Sequence, residues 1–360
     1  MHSEQIEATT IHQIATPMFV VCNDIVTEIN NAARNLQICE GMSVHSILTN
    51  NSEYAQFRNG KLFLAINISG AKYNASVTAE EDRRIFAIDT SNAAPAICIN
   101  TDFAKTLREP LSSAVTHIDL MYNAAVAAKE QNTKSILATR QNLFRMLRSV
   151  QNIIDSDPRS SWAASSQLEY RDIISHLNNC VSRLQQRTSL ADLFVINTLE
   201  EKIICRFDPE GLERAILNLI ANAIKHSTGT KPATISLRHK NDTLYITVEN
   251  HTNAANDNLR RSLAAIPSSN PFINPYDAEI GCGIKVIRNV ALEHGGTLQM
   301  QLHQTEDNEI CEARFTMTVS TTSDSIRTLY SPTHLIIDRS GGYDRILIDM
   351  SDLLTPDDYK

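Results

Sequence analysis

The chain has 360 residues, of which 42% are apolar and 21% charged, and its formal net charge is −8. This composition is typical of folded domains and excludes a disordered chain, and the negative charge provides no electrostatic footprint for nucleic acid. No apolar run approaches the roughly 18 to 20 residues that a membrane segment needs, and no signal-peptide pattern opens the chain, so we expect a soluble, cytoplasmic protein with room for two or three domains.

Residues 1–98 alternate short apolar runs with polar turns, which predicts a mixed α/β domain. A short helix is predicted at residues 30–36, and five strands are predicted at 18–22, 25–29, 61–68, 71–78 and 84–89. The stretch from Thr16 to Ala33, followed by the helix and the later strands, resembles the opening of a PAS sensor domain. This resemblance implies a sensory role, and no residue in the region indicates a cofactor.

Residues 99–160 carry a helical pattern, because apolar side chains recur at spacings of three and four from Phe103 to Ala128 and again from Ile136 to Ile154. A polar break at residues 130–134 separates the two stretches. The pattern predicts a helical hairpin, and two hairpins from two chains would form a dimeric four-helix bundle. A purely structural hairpin has the same periodicity, so the spacing alone indicates no chemistry.

Residues 161–320 are predicted to form a mixed sheet covered on one face by helices. Strand patterns occur at 193–196, 203–206, 233–237, 244–248, 297–302 and 313–319. A helix that follows Phe207 places Asn218 and Asn222 four residues apart on one face, and Lys225 and His226 on its last turn. An amide oxygen can bind Mg²⁺ beside phosphates, and a lysine can meet a phosphate as a point charge. The structural alternative is a helix with two satisfied amides.

Two motifs in this region carry a family resemblance. The segment from Asn218 to Ser227 resembles the N box of the histidine-kinase-type (GHKL) ATPase domain. About sixty residues later, Gly281-Cys-Gly283 and the helix that ends at Glu-His-Gly-Gly296 resemble the second glycine box of that domain. Glycines ahead of a helix allow backbone N–H groups to approach a phosphate. The resemblance covers roughly residues 100–320.

This resemblance implies an α/β sandwich that binds ATP and Mg²⁺. Asn222 is expected to bind the metal, and Asn218 to lie beside the phosphates or their water. Lys225 and His226 are expected to contact phosphate. The phosphate side of the site is expected to be lined by two glycines, Gly281 and Gly283.

The first glycine box departs from the family pattern, in which a strand ends in Val-x-Asp-x-Gly-x-Gly. Here Asn250 stands in the place of the aspartate that accepts a hydrogen bond from adenine, and Thr252 and Ala254 replace the glycines. An asparagine oxygen can still accept that bond, so we expect a weakened ATP site. The segment 256–280 is expected to be a lid.

The phosphoacceptor motif departs further. The segment from Phe103 to Leu111 resembles the family's acceptor helix, but Lys105 stands where the histidine belongs. A lysine ammonium has no lone pair with which to accept a phosphoryl group, so the usual autophosphorylation is expected to fail. His117 lies on the same helix, twelve residues on and about a third of a turn out of phase, and is the candidate for a relocated acceptor.

The expected fold class is therefore α+β and multidomain, with a PAS-like α/β sensor domain, a helical hairpin and an ATPase-type sandwich. The resemblance implies a sensor-histidine-kinase-like protein of a two-component or phosphorelay pathway. We interpret it as a homodimeric pseudokinase that regulates a response regulator, a phosphotransfer protein or another kinase. The alternatives are an active kinase that uses His117 or an acceptor on a partner, and a nucleotide-independent phosphotransfer or scaffold protein.

Residues 321–360 extend beyond the family pattern. The segment 333–349 contains two apolar runs around Ser340-Gly-Gly, which predicts a β-hairpin.

Overall fold

The computed structural model describes residues 11, 14–90, 99–129, 131–156, 168–198, 202–228, 231–253, 257–264, 280–305, 309–322 and 343–360. Hydrophobic side chains gather in two main cores, one within residues 19–88 and a larger one that joins the hairpin, residues 173–319 and the C-terminal segment. None of the helices within these ranges is long and apolar enough to cross a membrane.

The N-terminal region is a five-stranded antiparallel sheet in the order β2-β1-β5-β4-β3. Its elements are β1 (Met18–Cys22), β2 (Ile25–Ile29), α1 (Asn31–Asn35), α2 (Asn51–Gln56), β3 (Lys61–Ile68), β4 (Ala71–Glu80) and β5 (Arg83–Asp89). The buried Asn30 Oδ1 caps α1 by accepting from the N–H groups of Ala33 at 2.8 Å and Met18 at 3.0 Å. The five predicted strands and the short helix are confirmed, and the PAS resemblance stays a prediction.

The predicted helical hairpin is confirmed as α3 (Ile99–Ala127) and α4 (Thr133–Ser156). The buried residues of α4 include Phe144, Leu147 and Ile154, which are spaced as one face of a helix requires. On the outer side of α3, the side chains of Leu120 and Met121 are 63% and 56% exposed. This apolar surface is open in the single chain, and the dimeric bundle stays a prediction.

A second set of strands forms a mixed sheet in the order β11-β12-β10-β9-β7. Its strands are β7 (Phe194–Thr198), β9 (Ala233–Lys240), β10 (Thr243–Asn253), β11 (Leu298–Gln304) and β12 (Ile310–Ser320). The helices are α5 (Ile173–Arg187), α6 (Pro209–His226), α7 (Asp257–Leu263) and α8 (Cys282–Glu293), and a separate strand pair joins β6 (Glu169–Asp172) to β8 (Ile204–Phe207). Side chains of β10 alternate between buried and half-buried, as expected for a sheet covered on one face.

The two sheets join edge to edge, because β3 pairs antiparallel with β11 and makes one ten-stranded sheet. Gly60 permits the close approach: its φ is +85°, and a Cβ there would lie 2.0 Å from the Met300 carbonyl oxygen. Phe63 of β3 belongs to the larger core, and the buried Arg288 guanidinium of α8 lies 5.6 Å from its ring centre. The N-terminal region is therefore packed directly on the sheet that carries β11.

The C-terminal β-hairpin prediction is wrong at residues 345–349, which form helix α9 (Arg345–Asp349). The Asp344 carboxylate accepts from the Ile346 N–H at 3.0 Å and starts the helix. A short apolar run has no clear period, so it could not distinguish a strand from one turn of helix. The rest of the predicted hairpin, residues 333–342, lies outside the described residues.

Residues 343–360, which we call the C-terminal clasp, bind the hairpin. Arg148 of α4 pairs with Asp352 at 2.6 Å, and Gln141 donates to the Leu354 carbonyl oxygen at 2.5 Å. The buried Tyr359 ring lies 5.2 Å from the Phe144 ring. Ile346, Met350, Leu354 and Tyr359 of the clasp all belong to the larger core.

The clasp also binds the region that contains α5 and α6. Asp358 accepts from the Ser189 N–H at 2.8 Å, and Arg345 pairs with Glu210 on the first turn of α6. Arg214 of α6 has no exposed surface and pairs both with Asp155 at the end of α4 and with Asp349 of the clasp. Helices α4 and α6 are thus held together directly by the Arg214–Asp155 pair and also through the clasp.

His294, which follows α8, fastens that helix to the start of α6. Its Nδ1 donates to the Val290 carbonyl oxygen at 2.7 Å, and its Nε2 accepts from the Asp208 N–H at 2.9 Å. Only the neutral ring can donate at one nitrogen and accept at the other. Burial accordingly lowers the pKa of His294 below its ordinary value of 6.5.

This arrangement predicts acid-sensitive stability. Because the unfolded chain binds a proton on His294 more readily than the folded chain does, the free energy of unfolding should fall as pH drops below about 6.5 toward the lower pKa of the folded chain. In His294→Gln this loss should be smaller, by at most about 1.4 kcal/mol per pH unit. Urea unfolding at a series of pH values measures both slopes, with His117→Gln on the exposed side of α3 as control. Parallel curves for wild type and His294→Gln would contradict the assignment.

Candidate functional site

Helix α6 begins at a strong cap and carries the predicted site residues. The Asp208 carboxylate accepts from the N–H groups of Glu210 at 3.1 Å and Gly211 at 3.3 Å, and Pro209 occupies the first helical position. The apolar side chains of the helix are buried between α8 and β10. This packing fixes the direction in which the polar residues of its last two turns point.

A cavity of about 350 Å³ opens beside the end of α6 and the start of α8. It is lined by Asn222, Lys225, His226, Asn250, Thr252, Leu259, Ser262, Gly281, Gly283, Ile284, Ala313 and Phe315. Six of the seven residues proposed from the sequence to bind a nucleotide are therefore in one cavity, although they come from α6, β10 and the start of α8. The volume is within the range of small-molecule sites.

Asn218 is the exception, because it lies beneath the cavity wall with no exposed surface. Its Nδ2 donates to the Arg214 carbonyl oxygen at 3.0 Å, and its Oδ1 has no hydrogen-bond partner among the described residues. That oxygen lies 2.9 Å from the point where a Cβ on Gly283 would stand. Burying a carbonyl oxygen without a hydrogen-bond partner costs free energy. Among the described residues, Asn218 Oδ1 is such an acceptor, and it lies close to the N-terminus of α8.

One end of the cavity is polar and cationic. Asn222 is half-buried, Lys225 and His226 are exposed, and the N-terminus of α8 begins at Gly281. Burial and the nearby Lys225 charge lower the pKa of His226. Lysine and the free N–H groups of a helix start both favour an anion.

Lys225 also reaches the clasp. Its Nζ is 3.8 Å from the Asp352 Oδ2 atom, the same atom that pairs with Arg148 of α4 at 2.6 Å. The sequence contains no signal for this contact, because Asp352 is 127 positions from Lys225 along the chain. One carboxylate therefore connects the cationic end of the cavity to the helical hairpin.

The other end of the cavity is apolar around a buried amide. Asn250 and Thr252 of β10 are 3% and 1% exposed, beside Ala313 and Phe315 of β12. The Asn250 Nδ2 atom is 3.4 Å from the His251 carbonyl oxygen, which is long for a hydrogen bond. An apolar wall with a few polar groups suits a flat heterocycle.

The acceptor-helix positions are outside this cavity. Lys105 and His117 are both exposed on α3, and the His117 Nδ1 atom is 2.7 Å from the Ser113 carbonyl oxygen. Neither residue lines the cavity. The structure therefore separates the nucleotide-site candidates from both acceptor candidates.

The donor set fits Mg²⁺ only together with a ligand. Within the described ranges, no group of three or more histidine, cysteine or acidic side chains could hold a metal ion. Asn222 supplies one neutral oxygen donor at the cationic end, and Mg²⁺ commonly binds through one or two protein ligands plus substrate phosphates. The cavity residues thus fit a Mg²⁺-phosphate group whose remaining ligands are phosphate oxygens and water.

The close contact beneath the cavity makes a testable prediction. Gly283→Ala should lower the free energy of unfolding by about 1 kcal/mol or more, because the new methyl group would crowd the buried Asn218 amide. The cost should disappear in an Asn218→Ala background, where the crowded atoms are gone. A double-mutant cycle by chemical denaturation measures this coupling, and strictly additive effects would contradict it.

Comparison with known proteins agrees with these motifs. Residues 207–323 match the family described as histidine kinase-, DNA gyrase B-, and HSP90-like ATPase. The sensor protein kinase WalK of Staphylococcus aureus (strain MRSA252) is 26% identical over 125 residues, which cover 35% of this chain and 20% of WalK. The sensor histidine kinase MtrB of Mycobacterium bovis is 24% identical over 152 residues, which cover 42% of this chain and 27% of MtrB.

The matched part of the chain thus spans only 20% of WalK and 27% of MtrB. Among solved structures, full-length ShkA in complex with AMPPNP is 17% identical, covering 63% of this chain and 47% of ShkA with a TM-score of 0.43. Histidine kinase ThkA in complex with response regulator protein TrrA is 11% identical, covering 85% of this chain and 96% of that chain with a TM-score of 0.35. By its sequence matches, residues 207–323 are similar to the histidine kinase-, DNA gyrase B-, and HSP90-like ATPase family, and the chain is similar over part of its length to sensor histidine kinases.

Proposed function

We propose that this chain is a nucleotide-binding pseudokinase that acts as a dimeric regulator in a two-component or phosphorelay pathway. The observation that carries this proposal is a combination: six of the residues predicted to bind the nucleotide line one cavity, while Lys105 stands where the family resemblance predicts the acceptor histidine. A protein with this combination can bind Mg·ATP without phosphorylating itself in the usual way.

The cavity supports nucleotide binding through its two unlike ends. The cationic end can contact phosphates through Lys225, His226 and the N–H groups at the start of α8, and Asn222 can hold the Mg²⁺ ion. Asn250 can accept the amino hydrogen of adenine at the apolar end. Thr252 stands where the family has glycine, and its side chain is buried in the cavity wall. We therefore expect this chain to bind Mg·ATP more weakly than members of the family that have the glycine.

The acceptor helix argues against self-phosphorylation. In phosphoryl transfer, the attacking atom needs a lone pair directed at the phosphorus, and a lysine ammonium offers only N–H donors. His117 is the histidine on α3 and its side chain is exposed, so it is the alternative phosphoryl acceptor on this helix. Its position, 12 residues beyond Lys105, lies on a different side of the helix.

The clasp supports a regulatory role, because it joins the cavity to the hairpin. Asp352 contacts Lys225 at the cavity and Arg148 on α4. Phosphates at the cavity would attract Lys225 and weaken its contact with Asp352, and this changes the charge balance at α4. The nucleotide state is thereby communicated to the helices that we propose form the dimer.

The N-terminal region supports a sensory input. Its Lys61 has no exposed surface, and its Nζ donates to the Ala264 carbonyl oxygen at 3.3 Å. Ala264 directly follows α7, whose Leu259 and Ser262 line the cavity. A PAS-like domain at this place could alter the cavity entrance, and the outputs we propose are a response regulator, a phosphotransfer protein or another kinase.

Nucleotide binding is tested by calorimetric titration with Mg·ATP. Wild type should bind, and Asn222→Ala should bind at least tenfold more weakly, since a metal ligand is lost. Asn197→Ala, on the surface of β7 away from the cavity, should bind like wild type. If Asn222→Ala keeps full affinity, the pocket is wrongly assigned; if wild type does not bind, the scaffold alternative is favoured.

Self-phosphorylation is tested with γ-labelled ATP and Mg²⁺. The purified chain should take up no acid-labile label under conditions in which an active histidine kinase labels strongly, because Lys105 replaces the acceptor. Acid-labile label that is abolished by His117→Ala would instead identify an active kinase with a relocated acceptor. Label that appears only on an added partner would indicate transfer in trans.

A further inference from the structure

The apolar end of the cavity contains only polar groups that both donate and accept hydrogen bonds. The cavity side chains there are Asn250, Thr252 and Ser262, which are buried among Leu259, Ile284, Ala313 and Phe315. An amide has an oxygen acceptor and an N–H₂ donor, and a hydroxyl group can act in either role. Among the described lining residues there is no carboxylate, and the ammonium and imidazole groups that line the cavity belong to Lys225 and His226 on the last turn of α6.

Because these polar side chains are uncharged and can both donate and accept, they determine which hydrogen-bonding edge of a purine base the site can bind. The edge of adenine presents an amino donor at position 6 and a bare nitrogen acceptor at position 1. A 6-oxopurine, such as guanine or hypoxanthine, presents the reverse, an oxygen at position 6 and an N–H at position 1. A carboxylate in the place of Asn250 accepts only, so it would face the 6-oxo oxygen with another acceptor.

Within the part of the chain that the structure describes, the neighbours of Asn250 do not fix its amide in one orientation. Its described hydrogen bond, from Nδ2 to the His251 carbonyl oxygen, is 3.4 Å long, well beyond the usual 2.9 to 3.0 Å. Rotation of the amide therefore breaks only one weak hydrogen bond. One orientation presents the oxygen to an adenine amino group, and the other presents N–H₂ to a 6-oxo group.

We propose that this cavity binds 6-oxopurine nucleotides as well as adenine nucleotides, and that Asn250 is the residue that permits both. The inference rests on the nucleotide-binding function proposed above. It assigns the base selectivity of the site to a single neutral amide on β10. The cationic end contacts the phosphates in the same way for either base.

The test compares Mg·ATP with Mg·ITP, because inosine differs from adenosine only at the base edge that Asn250 would read. By calorimetric titration, wild type should bind the two nucleotides with affinities within tenfold of each other. Asn250→Asp should keep Mg·ATP binding and lose at least tenfold in affinity for Mg·ITP, since two acceptors would then face each other. Asn253→Asp adds the same charge at an exposed position three residues along β10, and should leave the ratio unchanged.

The outcomes separate this inference from the function on which it rests. If wild type binds Mg·ATP more than tenfold more tightly than Mg·ITP, the base assignment is wrong and the nucleotide site stands. If neither nucleotide binds, the nucleotide site itself is wrong and the inference fails with it. The wild-type ratio decides the question even if Asn250→Asp does not fold, which thermal unfolding of that variant would reveal.

Discussion

The buried guanidinium of Arg214 is the constraint on which the arrangement of the domains depends. It lies on α6 with no exposed surface, and a charge in that position must be paired. Its partners are Asp155 at the end of the hairpin and Asp349 in the C-terminal clasp. Burial lowers the pKa of Arg214, and the Asp349 charge opposes that shift. Because one cation pairs with carboxylates from two other segments, the hairpin, the ATPase-like region and the clasp are held in a single arrangement.

This constraint matters for the cavity, since Arg214 and Asn218 occupy successive turns of the same helix. The Arg214 carbonyl oxygen accepts the Asn218 amide hydrogen and leaves the Asn218 oxygen directed at Gly283. Removing one partner of a buried ion pair commonly costs 3 to 5 kcal/mol, so neither carboxylate is easily released. The geometry beneath the cavity is thus coupled to contacts made by the hairpin and by the C-terminus.

The cavity has a division of chemistry that matches a nucleotide with unequal ends. Lys225 and the N-terminus of α8 supply charge and helix N–H groups, and β10 and α7 supply neutral side chains that both donate and accept. Lys225 also contacts Asp352 of the clasp. In the function proposed above, Lys105 and Asn250 would affect different steps, because one stands in the place of a phosphoryl acceptor and the other would contact the base.

Local sequence determined the parts of this protein whose signals lie within one element. The spacing of Asn218 and Asn222, the glycines ahead of α8, and the three- and four-residue repeats of the hairpin each depend on neighbours in the chain. The strands of both sheets follow from their apolar alternation in the same way. These features could be predicted because helix and strand periods are properties of a continuous backbone.

Contacts between distant segments were decided only by the tertiary structure. Strand β3 pairs with β11, although the two strands are more than 200 residues apart in the chain. Because backbone hydrogen bonds do not depend on the identity of the side chains, the sequence does not predict this pairing. The apolar run at residues 345–349 could form a strand or a helix, and the Asp344 cap and burial in the core selected the helix. The position of Asp352 beside Lys225 likewise follows from the packing of the clasp on α4, because the folding of both segments onto one core brings the two charges together.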